Sequence, residues 1–190
     1  MPHRTFTLTA CAIFALLSGC STYVDNYNYR PRPAIAEVPP APGKHAPPVT
    51  GLASVIGVRN EDRKDGLPPC VEIRLRIENN GTDDLTFDPQ TMELLDGLLL
   101  KFPQPIARPP QVVTLRPNEV AVFSAFFPFP SGHSYHNTDL DSLQLRWLTR
   151  VEGHNEGLGV NFHRVASVYY SSNPSPVFFG FGFGASHRFR

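Results

Sequence analysis

The sequence has no excess of either charge and few charged residues altogether. Its 190 residues contain 17 Lys and Arg against 17 Asp and Glu, and charged residues make up 18% of the chain. Proteins that bind nucleic acid by neutralising phosphates carry a basic excess. We therefore expect no nucleic-acid partner, and no long-range electrostatic steering of any other partner.

Long apolar runs and long segments without proline are also scarce. Beyond the first segment no run of 18 apolar residues appears, so the sequence predicts no transmembrane helix in the mature chain. Twenty prolines exclude a bundle of long helices, because a proline inside a helix breaks it. Hydrophobic residues still make up 41% of the chain, which is enough for a folded core.

The first segment has the features of a secretory signal peptide. Arg4 supplies a positive charge, and residues 8–17 form a mostly apolar stretch. Residues 17–20 read Leu-Ser-Gly-Cys, which resembles the lipobox of bacterial lipoproteins at all four positions. The resemblance implies cleavage between Gly19 and Cys20, with Cys20 as the lipidated, palmitate-bearing residue.

The same resemblance implies a location in the cell. Two or more acyl chains make release from a membrane slow, because each buried CH2 contributes about 0.8 kcal/mol. In Gram-negative lipoproteins an aspartate after the cysteine signals inner-membrane retention, whereas Ser21 follows the cysteine here. The expectation is a lipid anchor in the outer membrane of a bacterial cell envelope, with the body facing the periplasm.

Cysteine is too scarce for a disulfide. Cys11 leaves with the signal peptide and Cys20 is modified, so Cys70 stands alone in the mature chain. Cys70 begins an alternating apolar run, which predicts a half-buried packing role and not a reactive thiol.

Seven prolines lie between residues 21 and 48 and favour an extended polyproline II spacer. Tyr23, Tyr27 and Tyr29 follow the anchor and are expected at the membrane interface, where amphipathic rings are favoured. The alternative for these tyrosines is a recognition patch. The predicted order of parts is a signal peptide over 1–19, the lipidated cysteine and a disordered tether over 20–48, a β-sandwich over 49–170 and a Phe/Gly-rich segment over 171–190.

Residues 49–170 carry the two-residue periodicity of β-strands. Between residues 71 and 78, apolar side chains alternate with Glu and Arg, and Asn79-Asn80-Gly81 then provides a turn. Glu152–Gly159 is predicted as a glycine-rich loop, and prolines predict another loop over residues 103–110. The number and spacing of strands predict an all-β, two-sheet β-sandwich. The other predicted strands are Val49–Val58, Leu85–Phe87, Met92–Leu95, Leu98–Lys101, Val112–Leu115, Glu119–Phe127, Leu143–Val151 and Val160–Tyr170.

Part of this body resembles a known family. The strand Ile73–Asn80, the hairpin at Leu94–Gly97 and the turn Leu115–Glu119 are similar to immunoglobulin-like domains of small bacterial envelope proteins. LEA14-type and DUF4352-type sandwiches share this outline, although Asn118 replaces their usual glycine. The resemblance implies an immunoglobulin-like fold and no particular activity.

Phenylalanines separated by glycines mark the C-terminal segment and are possible partner contacts: Phe178, Phe179, Phe181 and Phe183. Two interpretations stay open for this segment. It forms a last strand packed on the sandwich, or it is an exposed aromatic segment that adds to a partner's sheet edge or contacts a membrane.

The sequence contains no recognisable catalytic motif. Neither a G-x-S-x-G elbow nor a phosphate-binding glycine loop occurs, so we expect no enzyme activity and no cofactor. His133 and His136 are too few for a zinc site, which needs three or four ligands. The predicted function is a lipid-anchored envelope protein whose non-enzymatic sandwich binds another envelope protein or polymer. The alternative is a periplasmic ligand- or metal-binding module that uses the loop containing His133 and His136.

Overall fold

The computed structural model describes residues 22–43 and 45–166. These residues form eleven strands and a short 3-10 helix, Pro89–Thr91. In chain order the strands are β1 (Asn28–Arg30), β2 (Ala34–Glu37), β3 (Val49–Arg59), β4 (Cys70–Asn79), β5 (Leu85–Phe87), β6 (Glu93–Asp96), β7 (Ile106–Arg108), β8 (Val113–Leu115), β9 (Val120–Pro128), β10 (Ser142–Val151) and β11 (His154–Val165).

The strands pair in two antiparallel sheets. The β10 sheet has the order β1-β11-β10-β5-β8, and β6 also pairs with β10. The β4 sheet has the order β2-β3-β4-β9-β7. This arrangement confirms the prediction of an all-β, two-sheet sandwich.

The core lies between the sheets and follows from alternation along the long strands. On β4 the side chains of Ile73, Leu75 and Ile77 are fully buried, as the alternating pattern predicts. Across the core, the rings of Phe87 and Phe123 meet edge to face with centroids 4.8 Å apart. One member of the charged face of β4 differs from the pattern, because Glu72 is buried.

The structure corrects the prediction of a disordered tether over 20–48. Strand β1 pairs with β11 in one sheet and β2 pairs with β3 in the other. Pairing with these longer strands satisfies backbone groups that an isolated proline-rich segment leaves to water. The folded body therefore begins well before residue 49.

The tyrosines expected at the membrane interface belong to this body. Tyr29 is only 3% exposed, and its hydroxyl donates to the carbonyl oxygen of Leu140 at 2.9 Å. The hydroxyl of Tyr27 donates to the carbonyl oxygen of Tyr135 at 3.0 Å, and that of Tyr23 donates to the Glu72 carboxylate at 2.7 Å. These bonds attach the first described residues to the sandwich.

The predicted glycine-rich loop over Glu152–Gly159 is wrong beyond Gly153. Strand β11 begins at His154 and pairs with β10 from Val151 back to Ser142. Only Glu152 and Gly153 form the turn, with φ of 51° and 81°, as a tight two-residue hairpin requires.

Two further irregular segments differ from the prediction. The proline-rich stretch over residues 103–110 contains strand β7, which pairs with the middle of β9. The predicted strand Leu98–Lys101 is reduced to one bridge between Leu95 and Lys101, although the chain does reverse at Asp96-Gly97.

Candidate functional site

A groove lies on the outer face of the β10 sheet. It has a volume of about 570 Å³. Its floor comes from β10 and β11, and its wall comes from the 3-10 helix and the start of β6. The lining residues are Gln90, Thr91, Glu93, Gln144, Arg146, Trp147, Leu148, Gly157, Leu158, Gly159 and Asn161.

Two glycines of β11 leave part of this floor without side chains. Gly157 lies opposite Leu148 and Gly159 lies opposite Arg146 in the pairing of β10 with β11. A Cβ placed on Gly157 would meet only the Cδ2 atom of Leu148, at 3.8 Å. Glycine inside a strand often marks a place where a ligand or another backbone approaches closely. The backbone of β11 is therefore accessible from the groove.

The groove combines amide, charged and apolar side chains. Arg146 donates from Nη2 to Oε1 of Gln144 at 2.6 Å and faces Glu93 across the pairing of β10 with β6. Leu148 is 46% exposed, so an apolar surface lies beside these polar groups. Asn161 lies opposite Gln144 on the neighbouring strand. Such a surface offers hydrogen-bond donors and acceptors along the strand direction.

A second cluster of polar side chains surrounds Arg59 at the end of β3. Its guanidinium donates from Nη1 to Glu72 at 3.0 Å and from Nη2 to Asp62 at 3.0 Å. The guanidinium carbon also lies 5.5 Å from the centre of the Tyr23 ring and 5.4 Å from that of Phe126. Burial raises the pKa of Tyr23 to about 12, aided by its hydrogen bond to the Glu72 carboxylate.

The Cys70 thiol and the Asp62 carboxyl, two further titratable groups of this cluster, also have structural roles. Burial raises the pKa of the Cys70 thiol to about 11, and its side chain is fully buried. The thiol is therefore protonated near neutral pH and inaccessible, which makes it a packing residue. The backbone N–H of Asp65 lowers the pKa of the Asp62 carboxyl. The cluster stabilises a buried cation and presents no nucleophile next to a base.

The two histidines of the metal hypothesis lie in one exposed loop. His133 and His136 are exposed in the loop between β9 and β10. The His133 Nδ1 atom lies 3.2 Å from the carbonyl oxygen of Ser131, and the His136 ring packs on that of Tyr135. In residues 22–43 and 45–166, no group of three or more His, Cys, Asp or Glu is arranged to hold a metal ion.

The remaining predicted site residues lie outside the described residues. They are Gly19 and Cys20 at the lipobox and Phe178, Phe179, Phe181 and Phe183 in the C-terminal segment. Within the described chain, no helix has both the length and the apolar character needed to cross a membrane.

The groove was not predicted, although the sequence carries a signal for it. Residues 157–162 read Gly-Leu-Gly-Val-Asn-Phe, in which small or polar residues alternate with apolar ones. This two-residue period predicts a half-buried strand whose outer face has almost no side chains. Two glycines in one short segment favoured a loop instead.

Comparison with known proteins gives little further information. No protein-family model and no curated protein matches the chain. A solved structure of the yjhA protein from Bacillus subtilis is similar at 14% identity and a TM-score of 0.33, covering 51% of this chain and 71% of that one.

Proposed function

We propose that this chain is a lipid-anchored, non-enzymatic binding protein of the bacterial outer membrane. Its immunoglobulin-like body faces the periplasm, and its groove binds an extended segment of another envelope protein. The observation that carries the proposal is the groove on the β10 sheet, whose floor contains Gly157 and Gly159 where side chains would otherwise cover the strand.

An extended polypeptide fits the chemistry of this groove. The amide side chains of Gln90, Gln144 and Asn161 each supply donors and an acceptor, which suit the N–H and C=O groups of a bound main chain. Leu148 supplies apolar contact for a side chain of the bound segment. A bound segment lying along the strands would thus find polar partners at several points and an apolar contact at one.

The first prediction concerns the anchor. Metabolic labelling with palmitate is expected to mark the wild-type chain and to be lost in Cys20→Ser, because the thiol at this position accepts the lipid. The matched control is Cys11→Ser, which changes a cysteine of the leader and should leave labelling unchanged. Labelling that persists in Cys20→Ser would refute the anchor.

The second prediction concerns the groove. Gly157→Tyr should fill the floor without disturbing the core, because a Cβ at this position would make only an ordinary van der Waals contact, with Cδ2 of Leu148 at 3.8 Å. A photo-crosslinking side chain placed at Asn161 is expected to join the wild-type protein to a discrete envelope protein. This crosslink should fall about tenfold in Gly157→Tyr. Such a fall corresponds to a loss of about 1.4 kcal/mol in the free energy of binding.

The matched control for this experiment is Val122→Tyr. Val122 is 51% exposed on the outer face of the β4 sheet, so the variant adds the same ring on the opposite side of the sandwich. Crosslinking equal to the wild type is expected there. A crosslink that survives in Gly157→Tyr, or one that captures only heterogeneous polymer, would contradict binding of a protein segment in the groove.

A further inference from the structure

The loops at one end of the sandwich lie together with the first described residues. Strand β3 ends there, β4 and β10 begin there, and β6, β9 and β11 end there. The N–H of Asn60 donates to the carbonyl oxygen of Thr22 at 3.0 Å, and Arg164 donates from Nε to the carbonyl oxygen of Asn26 at 3.0 Å. The chain therefore enters the folded body at this end, which we call the anchor end.

The anchor end also carries the two most exposed large apolar side chains of the described residues. Leu98 is 78% exposed and Leu99 is 68% exposed. Both belong to the turn that follows β6, which we call the leucine tip (residues 97–100). Gly97 of this tip donates its N–H to the carbonyl oxygen of Asp139, just before β10 begins. The tip is thus fixed to the anchor end.

The leucine tip is held rigidly by a buried carboxylate. Asp96 is 3% exposed, and its Oδ1 atom accepts the N–H of Leu98 at 2.9 Å and that of Leu100 at 2.8 Å. Leu99 adopts a φ of 64°, a left-handed conformation that is rare for a bulky side chain. Strained backbone held in place by its surroundings is found more often where a segment makes a functional contact.

Chain length places this end close to the lipid. Only Ser21 separates Thr22 from Cys20, so their Cα atoms lie no more than about 7 Å apart. Thr22 itself is bonded to the body, which leaves no long spacer between the anchor and the sandwich. We propose that the leucine tip is a second membrane contact, in which Leu98 and Leu99 enter the lipid surface next to the acylated cysteine. This inference rests on the proposed lipid anchor.

A lipid surface fits the tip better than a protein does. The exposed side chains of the tip are apolar, and the N–H groups of residues 97–100 are already used by Asp96 and Asp139. Leu99 also lines a small pocket on the β10 sheet, whereas Leu98 does not. Two leucines alone bind a bilayer weakly, whereas a neighbouring acyl anchor makes the second contact effectively intramolecular. The expected result is a fixed orientation of the sandwich on the membrane.

The test places an environment-sensitive dye at the tip of the full-length lipoprotein, purified after processing and inserted in phosphatidylethanolamine–phosphatidylglycerol vesicles. Leu98→Cys provides the labelling site, because Cys70 is buried. Dye at position 98 is expected to shift its emission to the blue and to be quenched by lipids carrying a spin label. The matched control is Asp84→Cys, an exposed position at the opposite end, where neither change is expected.

A second variant makes the outcome specific. Adding Leu99→Asp to the labelled protein should abolish the quenching at position 98, since a charge beside it opposes entry into lipid. An unquenched dye on palmitate-labelled protein would overturn the leucine tip while leaving the anchor intact, whereas absence of palmitate would overturn the anchor itself. A blue shift in native envelopes that is absent in lipid vesicles would assign the tip to a protein partner and refute the inference.

Discussion

Gly51→Ala is expected to lower the free energy of unfolding by about 3 kcal/mol, the upper part of the usual range for overpacking a core. Gly51 lies on β3, and the indole of Trp147 from the opposite sheet covers it. A Cβ at this position would overlap the Cζ2 atom of the indole and lie 3.3 Å from Cε2. Because a fused ring cannot bend away from one added carbon, either the ring or the strand must move.

The indole has little freedom to move. Trp147 is 1% exposed, and within the described chain its Nε1 atom has no hydrogen-bond partner. Urea unfolding followed by the fluorescence of this sole tryptophan measures the loss. The matched control is Gly157→Ala, the same change in another strand, where the new Cβ meets no close neighbour and stability should change by less than about 1 kcal/mol.

A double variant separates the steric effect from the general cost of the substitution. Trp147→Phe removes the ring atoms that a Cβ at position 51 would overlap, so it should be less harmful in the Gly51→Ala background than in the wild type. Equal costs in both backgrounds would show that the two positions do not interact, and the assigned overlap would then be wrong.

The strands that could be predicted are those whose own sequence has a recognisable pattern of apolar and polar residues. Strand β4 alternates between apolar and charged residues from Val71 to Glu78, and β5 is predicted with the same bounds that it has in the structure. The sequence of β9 is apolar on both faces, and in the structure β9 does lie between two other strands, although Val122 is exposed. Local alternation therefore identifies strands and the sandwich class without any partner information.

The strands that were missed depend on their partners. Strands β1 and β2 have three and four residues, and prolines surround them, so neither has a period long enough to recognise. Strand β1 forms because β11 offers it a row of backbone N–H and C=O groups, and β2 forms because β3 does the same. Pairing with these distant strands also matters for the candidate sites, because it holds the first described residues at the anchor end.

Burial of a charge could not be predicted from the alternating pattern alone. Glu72 belongs to the same alternating series as Arg74, Arg76 and Glu78, yet only Glu72 is buried. Arg59 at the end of β3 provides the guanidinium that makes burial of the carboxylate tolerable, and Tyr23 donates its hydroxyl to the same carboxylate. The pattern specifies the face of the sheet, whereas contacts with residues distant in sequence decide which member of the face is buried.

Glu72→Ala is expected to lower the free energy of unfolding by about 3 kcal/mol at neutral pH, because removing one partner of a buried ion pair leaves the other charge uncompensated. The side chains of Arg59 and Glu72 are 11% and 6% exposed, and their charged atoms are 3.0 Å apart. The variant also removes the acceptor for the hydroxyl of Tyr23. Asp62 remains beside Arg59 and keeps the expected loss at the lower end of the known range.

The same strand provides a matched control in Glu78→Ala. Its carboxylate bonds to Nε of Arg76 at 2.7 Å, but the Arg76 side chain is 52% exposed, so this pair should contribute about 0.5 kcal/mol and weaken with added salt. Chemical unfolding at low and high salt compares the two variants. A loss in Glu72→Ala as small as that in Glu78→Ala would show that water reaches the guanidinium of Arg59.

A third variant tests whether the cost arises from the unpaired charge and not from lost volume. Replacing both partners, Arg59→Met with Glu72→Met, removes the buried charges together and fills much of the same space. The double variant should be more stable than Glu72→Ala, because no charge is left without a partner. If instead its stability falls below that of Glu72→Ala, the stabilisation resides in the hydrogen bonds and ring contacts that Arg59 makes with Asp62, Tyr23 and Phe126.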